Sequence, residues 1–456
     1  MAGTTSTTIE TLSPELLAEI FWHCVYDHPD KVSVPRWRSH APLLLGRVCS
    51  RWRTISVSAP EIWSTIVIGG HGTKDKSVKY RKDIDAARVW VSRSGTCPLT
   101  FNINEWDPTN RAEEYGAELR QVLELVVSQF RRWSKILAVL PRPFMKMLLV
   151  PLIEGDTPKL EEFQSQSITS GDMGGFDPWS FVLSSTPHLK RLKVLCEPIS
   201  IDFGDQIHHV QFIHIMPMRP LDAKPSLLDL LQCLIRCPSL TTLALQIGGC
   251  SPAATLRRSL PNVIALTDLH TLKLSFNATI DPYLVFDRLY LPSIKHIVLT
   301  MRQCTQADWP HLASMLERSH PPLETLNLYN VPMTERTLIE CLSFTPKLVN
   351  LDVRGIHCSD LALASLTIDD NEGSNPAISW PYLTIVALGP PSLLSPNALK
   401  AMILSRWAGA KASDDNTVTP GKALQVVRCP SESVRDMLSD PDICHCITGG
   451  LTVEQE

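Results

Sequence analysis

Eight segments of the chain share one spacing: TPKLEEFQ, TPHLKRLKV, CPSLTTLAL, LTDLHTLKL, LPSIKHIVL, PPLETLNL, TPKLVNLDV and WPYLTIVAL. Their first aliphatic residues are Leu160, Leu189, Leu240, Leu269, Ile294, Leu323, Leu348 and Leu383, and a weaker copy, DQIHHVQF, begins at Ile207. The final LxL of the motif reads as an alternating strand with both hydrophobes inward, and the residue three places earlier anchors the turn into it. One copy alone leaves its apolar face wet. Stacked copies close a continuous core, so repetition replaces a single large one. Proline precedes the first aliphatic by two residues at Pro158, Pro187, Pro238, Pro292, Pro321, Pro346 and Pro381.

Helical spacing fills the intervals: SLLDLLQCLIRC from Ser226, DWPHLASMLERS from Asp308, TERTLIECLSFT from Thr334 and NALKAMILSRW from Asn397. Asp308 and Thr334 are candidate caps for two of these helices. Earlier in the chain, Leu99, Phe101 and Ile103 alternate as a strand would, and Glu113 to Arg131 has helical periodicity. Strand, loop and helix repeated in one direction predict parallel strands and an α/β solenoid over residues 95–430. A doubly wound sheet is the alternative, but it leaves the recurring prolines unexplained. Gly409 to Lys422 is a polar loop, ALQVV from Ala423 is expected as the last strand, and residues 431–456 as a C-terminal cap or tail.

Residues 1–68 follow another pattern. Ser13 is a helix cap, Pro14 suits the first helical position, and Glu15 and Glu19 lie toward the positive end. Leu16, Leu17, Ile20, Phe21 and Cys24 then share one stripe. Leu44, Leu45, Val48, Cys49, Trp52 and Ile55 form a second stripe, with Arg47, Ser50, Arg51 and Arg53 opposite, and Pro60 opens a turn carrying Ile62, Trp63 and Ile66. So short a unit cannot bury all this apolar surface alone, which predicts a covering partner. Residues 69–94 read as a linker, glycine-rich and then basic to Asp83, followed by a first helix from Ile84 to Ser92.

The N-terminal residues resemble the F-box. Its signatures are met by Leu12, Pro14, Glu15, Leu16, Leu17, Ile20 and Phe21, then Val48, Cys49, Trp52 and Arg53, then Pro60 and Trp63. Ser13 separates the leucine from the proline, and Asp27 to Pro42 lengthens the connection between the helices. The resemblance implies binding to a Skp adaptor, and through it to a cullin. Adaptor-binding residues are then expected among Leu12, Pro14, Leu16, Leu17, Ile20, Phe21, Leu45, Val48, Cys49, Trp52 and Trp63. The later array resembles the leucine-rich repeats found behind many F-boxes, and Leu269, Leu272, Leu274 and Asn277 fit the full LxxLxLxxN pattern.

The expected fold class is therefore α/β: a small N-terminal all-α F-box-like unit followed by an irregular leucine-rich-repeat solenoid with a parallel sheet. The expected function is the non-catalytic substrate-recognition subunit of a ubiquitin ligase that holds a protein client of unknown identity. A leucine-rich-repeat interaction scaffold without a ligase is the alternative, and an α/β enzyme would need a pocket of convergent ionisable groups. The net charge of −4 gives no electrostatic case for nucleic acid or an anionic membrane. No secretory signal or membrane-spanning run is apparent, and 13 cysteines in largely apolar contexts suit reduced thiols, so a cytoplasmic or nuclear location is expected. No GxSxG, GxxxxGK[ST] or HExxH motif occurs, so no catalytic residue and no cofactor is expected. Cys444, His445 and Cys446, with Cys429 upstream, lack a second spaced pair and read as local packing rather than a metal site. Cys233 and Cys237 read as core.

Overall fold

The recurring proline has a local cause. In six copies the N–H of the anchor residue donates to the carbonyl three residues earlier, as from Leu160 to Thr157 at 3.2 Å, Leu189 to Thr186 at 3.1 Å and Leu348 to Thr345 at 3.2 Å, with the same bond at Leu240, Ile294 and Leu383. Proline thus occupies the second position of a β-turn, where its fixed φ is already correct. At Leu323 the bond closes instead on Pro321, a tighter turn.

The computed structural model describes residues 9–26, 41–70, 75–105, 115–154, 156–168, 179–195, 199–217, 225–249, 256, 260–277, 280–301, 308–368, 380–407 and 424–455. The chain is mixed α/β, with largely parallel strands, and divides into two compact units, Met1–Gly204 and Asp205–Glu456. The first 14 residues of the inserted connection (27–40) and all of the 409–422 stretch lie outside the described residues.

The first unit begins with α1 (Pro14–Tyr26), α2 (Leu45–Val48), α3 (Ser50–Ser58) and a 3-10 turn (Pro60–Trp63). It continues through β1 (Thr65–Gly69), α4 (Lys76–Arg93), β2 (Leu99–Asn104), α5 (Gly116–Val127), β3 (Trp133–Pro141), α6 (Arg142–Glu154), β4 (Glu162–Ile168), β5 (Trp179–Val182), β6 (Arg191–Leu195) and β7 (Ile199–Asp202). Strands β1, β2, β3, β4 and β6 pair in that order, all parallel, and β5 pairs with β7 separately.

The second unit runs through β8 (Phe212–Met216), α7 (Leu227–Arg236), β9 (Thr242–Ile247), β10 (Ile264–Ala265), β11 (Thr271–Phe276), α8 (Tyr283–Phe286), β12 (Leu289–Tyr290), β13 (His296–Met301), α9 (His311–Ser319), β14 (Thr325–Tyr329), α10 (Glu335–Ser343), β15 (Asn350–Arg354), α11 (Asp360–Leu366), β16 (Ile385–Leu388), α12 (Pro396–Trp407), β17 (Val426–Cys429), α13 (Ser431–Ser439), α14 (Pro441–Thr448) and β18 (Thr452–Gln455). Its main sheet is parallel throughout and follows chain order from β8 to β18, while β10 and β12 form their own pair. Leu243, Leu272, Ile297, Leu326, Leu351 and Val386 face one another across successive strands, so the motif is in register along the sheet. All six are buried. A doubly wound sheet reverses strand order at a switch point, and neither unit does so.

Carboxylates tie consecutive helices together. Asp308 Oδ1 accepts the Thr334 N–H at 2.9 Å, and Oδ2 accepts the Thr337 hydroxyl at 2.8 Å, at the start of α10. Glu335 Oε1, in α10, accepts the N–H groups of Ser359 at 2.6 Å and Ala362 at 2.9 Å, at the start of α11. Asp360, in α11, accepts the Ser395 N–H at 2.8 Å, just before α12. Each acid thus satisfies donors that a helix start leaves orphaned, but it does so for the next helix. Replacing Glu335 by alanine is expected to cost the second unit about 1–3 kcal/mol, read from its denaturant midpoint.

The same ladder predicts acid sensitivity. Burial raises the Asp308 pKa, but hydrogen bonds from Thr334, Thr337 and Trp309 outweigh it and leave the carboxyl below its usual value; hydrogen bonds from Ser395 do the same for Asp360. A depressed folded-state pKa gives stability that is present above the unfolded value and lost as pH falls through the folded one. Melting temperature should therefore drop below the ordinary carboxylate range, and Asp308→Asn should blunt that drop.

Several sequence expectations need correction. The weak copy at Ile207 is three residues too early: Ile207 is exposed, whereas Val210, Ile213 and Ile215 are buried and β8 starts at Phe212. The basic stretch before Asp83 is not a solvated linker, because α4 already starts at Lys76 and buries Lys76, Tyr80 and Asp83. Lys76 and the Tyr80 hydroxyl both bond the buried carboxylate of Glu105, which supplies the compensating charge, and Asp83 accepts the Gly69 N–H at 2.9 Å. Asp308 does not cap its own helix, which begins at His311. Val426–Cys429 is not the final strand, since residues 431–455 add α13, α14 and β18 and extend the sheet by one parallel strand. The expected boundary at residue 68 falls inside β1.

Candidate functional site

The N-terminal helices converge on a small core of Leu17, Phe21, Leu45, Ile55, Ala59, Ile62 and Trp63. Ser13 Oγ accepts the Leu16 N–H at 3.4 Å, a long capping bond that places the start of α1 where the serine predicted it. Cys49 breaks α2 from α3 with an extended backbone, and its sulfur accepts the Trp52 N–H at 3.4 Å. Phe21 and Trp52 meet with ring centroids 4.9 Å apart.

Trp63 is the largest side chain in this core. It is 2% exposed, its indole Nε1 donates to the Ser56 carbonyl at 2.7 Å, and its ring meets Trp90 of α4 at 4.9 Å. The Arg93 guanidinium lies over the same ring at 4.3 Å. Trp63, Ile66 and Ile68 also repeat the spacing of the later copies, and all three are buried. Trp133, Ile136 and Ala138 do the same, and Trp133 Nε1 likewise donates to a carbonyl seven residues back, that of Val126, at 3.0 Å. A tryptophan anchor therefore satisfies the end of the preceding helix and starts the strand.

The residues expected to bind a partner separate into two sets. Leu17 and Phe21 are 0% exposed, and Leu45 and Trp63 are buried with them. Leu12 and Trp52 are half-buried against the core. Leu16 at 55%, Ile20 at 39% and Val48 at 55% are outward, as are Pro14 and Cys49. Leu17, Phe21, Leu45 and Trp63 are therefore structural rather than available to a partner. The single stripe read along α1 is thus divided lengthwise, Leu17 and Phe21 inward and Leu16, Ile20 and Cys24 outward.

Leu44, not among the residues expected to touch the adaptor, is outward as well, one turn before Val48. The sequence placed Arg51 and Arg53 on the polar side, which hid what they hold. Arg51 Nη1 donates to the Glu10 carbonyl at 2.6 Å and Nη2 to that of Leu12, binding the chain ahead of α1 to α3. Arg53 Nε donates to the Gly46 carbonyl at 2.7 Å, across the α2–α3 junction.

Among the described residues no group of three or more His, Cys, Asp or Glu is placed to hold a metal ion, and no helix is long and apolar enough to cross a membrane. Cys446 is buried and Cys444 exposed, its thiol bonding the Leu438 carbonyl at 3.3 Å. Cys233 and Cys237 are buried in the second unit. No protein-family model matches the chain, and no curated protein matches it.

Proposed function

We propose that this chain is the substrate-recognition subunit of a Skp–cullin–F-box ubiquitin ligase. The N-terminal helices dock on the Skp adaptor, and the repeated strand and helix units, read as an irregular leucine-rich-repeat solenoid, hold a client protein. One observation carries this reading: Leu16 and Ile20 on α1, and Leu44 and Val48 at α2, point outward from helices whose inward residues already fill a core. Scattered exposed hydrophobes are ordinary on soluble proteins. Two outward pairs, each spaced by one helical turn on one small helical cluster, are what an amphipathic docking surface requires.

In this scheme the chain performs no bond chemistry. The adaptor contact brings a bound client near an activated ubiquitin carried by another subunit and raises its effective concentration there. Affinity capture of the full chain from cells, with the retained proteins identified, tests the reading. Adaptor and cullin are expected together, and a capture holding neither would end it. Point variants are needed for the comparison. Deleting residues 1–68 would also strip most of β1 from β2.

A further inference from the structure

The first unit carries a shallow groove of about 190 Å³ on the solvent side of β2, β3, β4 and β6. Most of its lining comes from strand residues that alternate with the buried ones, with the buried Ile103, Ala138 and Ser165 beneath. The amides Asn102, Asn104, Gln164 and Gln166 stand on either side of the aliphatic Leu137 and Val139, and Lys193 closes one end. Register places Asn102, Leu137, Gln164 and Lys193 side by side on four successive strands.

The charges beside the groove are unbalanced. One residue back along the same face, Glu162 is shared between Lys135 at 3.8 Å and Arg191 at 3.4 Å. Lys193 is half-buried, and among the described residues no carboxylate is within ion-pairing distance of it. An ammonium with no carboxylate beside it attracts an incoming one. Gln164 already donates its amide N–H to Glu162 and offers its carbonyl oxygen, while the amides of Asn104 and Gln166 can both donate and accept, as a peptide backbone laid over them needs.

We infer that this groove is the client-binding site of the first unit, and that it takes an extended acidic peptide segment whose carboxylate meets Lys193 while aliphatic side chains rest on Leu137 and Val139. The inference rests on the client-holding role proposed above and adds its place and chemistry. The groove lies in the same compact unit as the N-terminal helices, so one folded body carries both contacts.

The test is panning of a displayed library of random twelve-residue peptides on the intact chain, followed by titration of the enriched sequences as free labelled peptides. Enrichment of aspartate or glutamate beside leucine or valine is expected, with binding weakened about tenfold or more by Lys193→Glu and less by Lys193→Gln, and falling with added salt. Leu137→Ser, which leaves the charge in place, should weaken the same peptides. Enrichment of basic or uncharged sequences, no enrichment, or acidic peptides indifferent to Lys193→Glu would overturn the assignment. Adaptor capture depends on the N-terminal helices and is expected unchanged in all three variants, so the two readings fail separately.

Discussion

Changing Leu16, Ile20 and Val48 together to alanine is expected to lower adaptor affinity by at least a hundredfold while the melting temperature stays within a few degrees of the parent. All three are outward, so truncation removes little from the chain's own core. At an interface, each would lose roughly 1–2 kcal/mol of apolar burial, and three together reach about 3–6 kcal/mol. That is about two to four orders of magnitude in binding. The comparison that gives this result its meaning is Leu17→Ala with Phe21→Ala. Those residues are fully buried, and each should cost about 2–5 kcal/mol of folding stability. Both variants would lose the adaptor, but only the second would lose the helices, as circular dichroism and protease resistance would show. Equal adaptor binding by the outward triple variant and the parent would mean that these residues are merely exposed.

Trp63→Ala should be the most damaging single change in the N-terminal region. The substitution empties the centre of the helical core, withdraws the ring from Trp90 and Arg93, and leaves the Ser56 carbonyl without its donor. A large aromatic truncated in a core costs about 3–5 kcal/mol, and an orphaned buried acceptor adds about 1–3 kcal/mol. The loss should spread to β1, because Trp63 anchors the turn into that strand. Amide exchange at Ile66 and Ile68 should therefore accelerate along with exchange in α1 and α3. Trp63→Phe separates the contributions: it keeps most of the bulk, loses the N–H, and should cost about 1–3 kcal/mol. Unchanged exchange in β1 after Trp63→Ala would show that the helices and the first strand are not coupled through this residue.

Much of the architecture was legible in the sequence because the repeat is local. An LxxLxL segment needs only its own alternation to declare an inward strand, and a proline two residues ahead of it declares the turn. Copies whose anchor is tryptophan were hidden. Trp63 and Trp133 hold the same position, but tryptophan carries an N–H that must be satisfied, and the acceptor lies on the preceding helix, where spacing alone does not point to it. The register of the copy around Val210 was misjudged because Ile207 begins a plausible spacing of its own. Burial of Lys76 depends on Glu105, 29 positions away, a pairing that a charge run does not disclose. For the candidate site the obstacle was angular. Leu16 and Leu17, like Ile20 and Phe21, are neighbours within one apolar arc of α1, and only the packing of α3 and the following 3-10 turn decides which of each pair turns inward.

The most direct measurement is hydrogen exchange on the intact chain with and without a purified Skp adaptor, at concentrations where calorimetry reports binding. The account predicts saturable binding, with slowed exchange confined to α1 and to the α2–α3 junction around Leu44 and Val48. Absence of binding heat, or protection that appears elsewhere and spares those helices, would contradict it.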